Sequence, residues 1–159
     1  VSAACHHALP ERPCAVGAFL RRVVEAYCQT APSLRSPFSL LHAIERHRPL
    51  LLRAAFPSPL HYGLVLAKVT DHLLEFFGPE EREETPLLLA GGEEREAARL
   101  YIVYCDRVRV LLWRDEEDEI RRCKEQVPLL CREAVGFCPC ELECCFLWTV
   151  GRRIEWISA

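Results

Sequence analysis

Apolar side chains recur at helical spacing through the first half of the chain. Val16, Phe19, Leu20, Val23 and Tyr27 share one face, while Arg21, Arg22 and Glu25 take the opposite one. The spacing predicts a helix from Ala15 that ends before Pro32. Ser36-Pro37 and Ser58-Pro59 each set an N-cap hydroxyl before a proline at the first helical position, where a missing N–H costs nothing. After Ser36, Phe38, Leu41 and Ile44 form a short stripe that Pro49 stops. After Ser58, Tyr62, Val65, Leu66, Val69, Leu73, Phe76 and Phe77 form a longer one. It predicts a helix over 59–77, closed by Gly78-Pro79.

The pattern then lapses. Residues 78–96 read as an acidic loop, with Glu80–Glu84 and Glu93–Glu96 flanking Thr85–Gly92. Its Leu87, Leu88 and Leu89 are candidate partner-docking residues. Residues 97–114 fit a helix through Ala97, Leu100, Tyr101, Tyr104, Val108, Leu111 and Leu112, and the preceding glutamates suit its first turn. The same run is rich in strand formers. Asp106-Arg107, however, lacks the glycine that a tight hairpin favours, so a helix is the expectation. Another helix is expected from Asp115, with Ile120, Cys123, Val127, Leu130 and Ala134 in phase, Pro128 bending it and Gly136 ending it.

The tail changes to period two. Cys138, Cys140, Leu142, Cys144, Phe146, Trp148 and Val150 alternate with the residues between them, as in a strand with one buried face. Gly151-Arg152 suits a type II′ turn, and Arg153–Ser158 can return. The fold expected is therefore α+β: a helix-dominated single domain of about five helices with a C-terminal β-hairpin packed on the bundle. Residues 1–14 are expected to form an irregular N-terminal arm. Residues 15–159 are expected to form one helical domain, with the acidic loop at 78–96 and the Cys-rich hairpin at 138–158.

Composition narrows the classes. The 159 residues are enough for one domain with a sizeable core. A net charge of −3 argues against nucleic-acid binding, and no apolar stretch reaches membrane-span length. Met and Asn are absent, and Lys68 and Lys124 are the only lysines among 20 basic residues. That bias points to a GC-rich gene, of the kind found in large DNA viruses and some vertebrates. Without Asn there is no N-glycosylation acceptor. The chain starts at Val1 rather than Met, and is read as a fragment or a processed form.

Ten cysteines are present, and six fall between Cys123 and Cys145. Three fates are open to them. Zinc is one, with Cys138, Cys140, Cys144 and Cys145 as candidate ligands, completed by Cys123, Cys131, His6 or His7. Paired Cys-x₂₋₄-Cys spacing is missing, and on a strand Cys138 and Cys140 stand roughly 6.5–7 Å apart. Burial as small apolar side chains is the second, and it suits their alternation with Leu142 and Phe146. Disulfides are the third, and they would imply secretion. The length and the cysteine-free middle favour a reduced, intracellular protein, cytoplasmic or nuclear.

No phosphate loop, nucleophile elbow or zincin helix occurs. His42, His47, His61 and His72 read as surface or boundary residues. Asp115–Glu119 reads as acidic charge at a helix N-terminus. The expectation is a non-enzymatic protein-protein interaction module, a viral or host regulatory factor, with no catalytic residue and no cofactor. Its partner would be another protein or a second copy. Leu147, Trp156 and Ile157 on the hairpin join the leucines as candidate contact residues. The alternatives are a zinc-stabilised adaptor or regulator, and a secreted, disulfide-bonded helical ligand.

Overall fold

A computed structural model describes residues 14–77, 84–91, 99–149 and 151–157. Gly78-Pro79, the glutamates at 93–96 and the expected N-terminal arm lie outside them, except for Cys14, which opens the first helix. The described residues form four α-helices, α1 (Cys14–Gln29), α2 (Pro37–His47), α3 (Pro59–Phe77) and α4 (Glu117–Ala134). Short 3₁₀ turns cover Pro32–Leu34, Arg48–Leu50 and Arg53–Ala55. Five strands form one mixed sheet in sequential order: β1 (Leu87–Gly91), β2 (Arg99–Val103), β3 (Val108–Leu112), β4 (Glu141–Phe146) and β5 (Arg152–Trp156).

The first three helices follow from their caps and stripes. Ser36 Oγ accepts from the Ser39 N–H, and Ser39 Oγ accepts from the Ser36 N–H, so the two serines close a capping box. Ser58 Oγ accepts from the His61 N–H at the start of α3. The terminal carbonyls of α3 are met by tertiary donors: the Tyr27 hydroxyl donates to Phe77 O and Arg109 donates to Phe76 O. In α2 the buried face is Leu40, Ala43 and Ile44 rather than the expected Phe38, Leu41 and Ile44. Phe38 is 81% exposed. An 11-residue helix offers two overlapping stripes one residue apart, and packing against α1 selects the second.

The expected helix-dominated bundle with a lone C-terminal hairpin is overturned by the five-stranded sheet. Residues 97–114 are not a helix. Their described part is the antiparallel pair β2 and β3, with Tyr101 facing Val110 and Val103 facing Val108. The stretch 78–96 is not wholly loop either, because Leu87–Gly91 pairs antiparallel with β2. β4 and β5 do form a hairpin, but its loop spans 147–151 rather than a two-residue turn, and β4 also pairs in parallel with β3. Parallel strands need a crossover, and α4 supplies it.

The sheet is buried on both faces. Leu100, Ile102, Tyr104, Leu111, Cys145 and Leu147 meet α1–α3. Tyr101, Val103, Val108, Val110, Leu142, Cys144 and Phe146 meet Ile120, Cys123, Val127 and Cys131 of α4. The result is three layers, helices on either side of a sheet. α4 runs through Pro128 and ends where Gly136 adopts φ +84°. At the β1 edge α4 comes so close that a Cβ on Gly91 would lie 2.5 Å from the Tyr101 ring and 2.8 Å from Gln126 Oε1. Gln126 in turn accepts from the Tyr101 hydroxyl at 2.6 Å.

Phe76 is buried at the end of α3, so Phe76→Ala is expected to cost about 3–5 kcal/mol in urea melts. Phe38→Ala is expected to stay within about 0.5 kcal/mol of wild type, because its ring already faces water.

Candidate interaction surface

The centre of the sheet holds an ion cluster. Arg109 on β3 and Glu143 on β4 are register partners and both are fully buried. Glu143 accepts from Arg107 at 2.8 Å, from Arg152 at 3.1 Å and from Arg109 at 3.4 Å. The Arg109 guanidinium also lies over the rings of Phe77 and Tyr104, and Arg152 lies over Phe76. One carboxylate faces three guanidiniums. The excess positive charge is offset in part by the carbonyl end of α3 and by the aromatic faces. Arg152 belongs to β5, so this cluster ties the last strand to the centre of the fold.

Among the described residues β5 is an edge strand, paired on one side only. Ile157 N–H donates to Cys140 O, and Phe146 N–H donates to Gly151 O. Antiparallel ladders alternate, so Arg153, Glu155 and Ile157 turn their backbone groups to β4, and Arg152, Ile154 and Trp156 turn theirs outward. The side chains of those three outward residues lie on the α1–α3 face, opposite Cys145, Glu143 and Glu141. Arg152 reaches Phe76 of α3, but the helices do not reach over the other two: Ile154 is 53% exposed and Trp156 72%. The other face of β5 is held to α4. Arg153 binds Asp115 and Glu117, and Glu155 binds Lys124 and Arg153. A groove of about 510 Å³ runs between α4 and β5, lined by Glu117, Arg121, Lys124, Glu125, Arg153 and Glu155, with Trp156 at its rim.

The sequence-derived candidates fall on different parts of this frame. Trp156 is exposed, but Leu147 and Ile157 are buried in opposite halves of the core, so neither is offered to a partner. Leu87, Leu88 and Leu89 form β1 on the far edge. Leu87 is exposed, while Leu88 and Leu89 pack against opposite core halves. Ile154 and the Arg109–Glu143 pair were not singled out. The signal for the pair is a lone charge inside an apolar strand run, Val108-Arg-Val-Leu-Leu112 and Leu142-Glu-Cys-Cys145. The signal for Ile154 is its period-two spacing from Trp156.

The thiols do not converge. Cys144 and Cys145 are buried on opposite faces, Cys140 is exposed, and the Cys138 thiol donates to the Pro139 carbonyl. Among the described residues no group of three or more His, Cys, Asp or Glu side chains is arranged to hold a metal. The thiols of Cys105, Cys123, Cys131, Cys138, Cys140, Cys144 and Cys145 are free of disulfides among the described residues. Burial pushes Cys131 up to about 11 and Cys144 up to about 12, and it pushes Cys145 up as well. Cys105 is exposed and is raised by Glu84. His72 is buried rather than at the surface. Its Nδ1 carries a proton, because it meets the Leu147 carbonyl, which only accepts. Trp148 stacks on Trp113 beneath Lys68, in the half of the core opposite Cys144, because the alternation of β4 ends at Phe146. No helix among the described residues is long and apolar enough to cross a membrane.

Glu143→Gln removes the buried carboxylate that pairs with Arg109 and is expected to cost roughly 3–5 kcal/mol in urea melts, whereas the double change Arg109→Met/Glu143→Leu costs less. The raised thiols set the sign of an alkaline effect. A thiol whose folded pKa lies above its unfolded value stabilises the fold below the unfolded value, and that contribution is lost as pH rises through the folded one. Unfolding free energy is therefore expected to fall between about pH 9 and about 12, and less steeply in Cys144→Ala.

No known protein family, no curated protein and no solved structure matches the chain.

Proposed function

We propose that the protein is a non-enzymatic interaction module whose partner engages the β5 edge. The observation that carries this reading is Trp156. It is a large aromatic side chain, 72% exposed, on a strand whose outward backbone groups have no strand partner among the described residues. A polypeptide laid along that edge gains main-chain hydrogen bonds and an apolar contact with Ile154 and Trp156 together. Tryptophan is enriched among residues that dominate binding energy. Exposed Phe38 on α2 and Leu60 on α3 offer apolar contact without the run of outward backbone groups that a strand edge presents.

The thiol chemistry agrees with a binding role. Cys105, Cys123, Cys131, Cys138, Cys144 and Cys145 are all raised, which disfavours the thiolate that nucleophilic catalysis needs. The same reading puts the protein in a reducing, intracellular compartment, because Cys28, Cys123, Cys131, Cys144 and Cys145 serve as small apolar core residues. A regulatory role, exerted by occupying a partner rather than transforming it, is the corresponding function.

A displayed library of extended heptapeptides panned against dilute full-length chain tests this. Binders are expected whose Kd rises about tenfold or more with Trp156→Ala and with Ile154→Pro. Proline at 154 removes only an outward N–H and spares the bonds to β4. Binders indifferent to both changes, or no binders, would discard β5 as the surface.

A further inference from the structure

We infer that the occupant of the β5 edge is the β5 edge of a second copy of this chain, paired antiparallel about Ile154 to make one continuous ten-stranded sheet. The inference rests on the interaction reading above and names its partner.

The argument is one of register. Arg152, Ile154 and Trp156 carry the outward backbone groups, so in any antiparallel self-pairing an outward residue must face an outward residue. Three registers overlap well. If Arg152 faces Ile154 of the second copy, the two Arg153 side chains meet directly. If Ile154 faces Trp156, the two Glu155 side chains meet. Directly opposed like charges destabilise a strand pair. If Ile154 faces Ile154, Arg153 of each copy faces Glu155 of the other, and Arg152 faces Trp156. The central pairs are then favourable, apolar with apolar and cation with carboxylate, and Trp156 meets the apolar stem of Arg152, whose guanidinium stays on Glu143 and over Phe76. All three outward residues of each copy also find a main-chain partner.

The surroundings permit it. The two-fold axis of an antiparallel strand pair stands perpendicular to the sheet, so the two α4 helices come to one face and the two sets of α1–α3 to the other. On the α4 face the groove carries Glu117, Glu125 and Glu155 against Arg121, Lys124 and Arg153. Its charge is balanced, so an identical groove brought beside it is not repelled. On the other face α1–α3 stop short of Ile154 and Trp156, which leaves room for the same pair from the second copy. The contact is isologous and closes on itself.

Charge-swapped copies test both the surface and the register. Sedimentation velocity of the full wild-type chain across micromolar concentrations is expected to show a monomer–dimer equilibrium. Glu155→Arg alone sets a guanidinium against the Arg153 of the other copy. Arg153→Glu alone sets a carboxylate against the other copy's Glu155. Each is expected to weaken the dimer about tenfold or more. Mixed together, the two variants place a cation against a carboxylate at both positions and are expected to form the heterodimer with near wild-type affinity. Ile154→Pro is expected to be monomeric while keeping the wild-type circular dichroism.

A wild-type chain that stays monomeric at the highest concentration overturns the proposal, as does a mixture that associates no better than either variant alone. A dimer indifferent to all of these changes overturns the assigned edge. A monomer that still binds selected peptides through Trp156 rejects self-pairing while leaving the interaction reading intact, and a monomer without such ligands rejects both.

Discussion

Arg109 and Glu143 face each other across the parallel seam between β3 and β4, each fully out of contact with water. A buried charge is tolerated only beside its counter-charge, and here the two can meet in one register only. Sliding β4 past β3 by one residue would turn Glu143 toward α4 and leave Arg109 facing α1–α3 alone. The pair therefore specifies the long-range parallel contact, which is reached through a crossover rather than a hairpin. Arg109 also reaches the carbonyl end of α3, and Arg152 reaches Glu143 from β5. The helical layer, the sheet centre and the last strand are thus referred to one buried carboxylate. A pair of this kind is weak evidence for net stability. What it supplies here is a choice among alternative strand alignments.

Burial on both faces explains which elements were legible in the sequence. α1 and α3 show one apolar face and one polar face, so period and caps place them well, and the spacing-based bounds of α3 match the structure. β3 is buried at all five positions and β2 at four of its five. A strand with no solvent face has no alternation to read, and Leu100–Tyr104 and Val108–Leu112 become two dense, mostly apolar runs that a helix fits equally well. β-branched and aromatic residues at Tyr101, Ile102, Val103, Val108 and Val110 were the available clue. The poor turn residues Asp106 and Arg107 hid it. The structure closes that turn by an N–H···O bond from Tyr104 to the Arg107 carbonyl, without glycine. β1 was hidden for another reason: five residues between acidic runs carry little pattern, and their strand state depends on pairing with β2.

The surface proposed for interaction shares only Trp156 with the contact residues expected on the hairpin. Trp156 stood out as an aromatic residue in a short polar strand. Choosing Leu147 and Ile157 as its companions assumed that one face of the hairpin faces water along its whole length. That assumption fails because β4 is sandwiched between two helical layers while β5 is covered by α4 alone. Exposure therefore begins one strand later, on the face shared by Arg152, Ile154 and Trp156. The cysteines show the same dependence on layering. Their alternation with Leu142 and Phe146 is core packing on the α4 side, and adjacent Cys145 fills the opposite half of the core.

The acidic run that opens α4 connects these points. Asp115, Glu117, Asp118 and Glu119 suit the positive end of a helix dipole, and Arg121 pairs with Asp118 on the exposed face. Asp115 and Glu117 also reach Arg153, while Lys124, two turns along, reaches Glu155. One face of β5 is therefore spoken for by charges of α4. Natural edge strands are commonly blunted by an inward charge, a bulge, a proline or a covering element. Among the described residues β5 has a covering helix on one face, and on the other it has an isoleucine and a tryptophan with outward amides between them. The charges on the covered face alternate in sign, and that alternation decides what the open edge can accept. It opposes like with like in the shifted self-registers and complements itself in the one centred on Ile154. The edge is guarded against slippage rather than against pairing, which is the pattern a strand needs when association through it is selective.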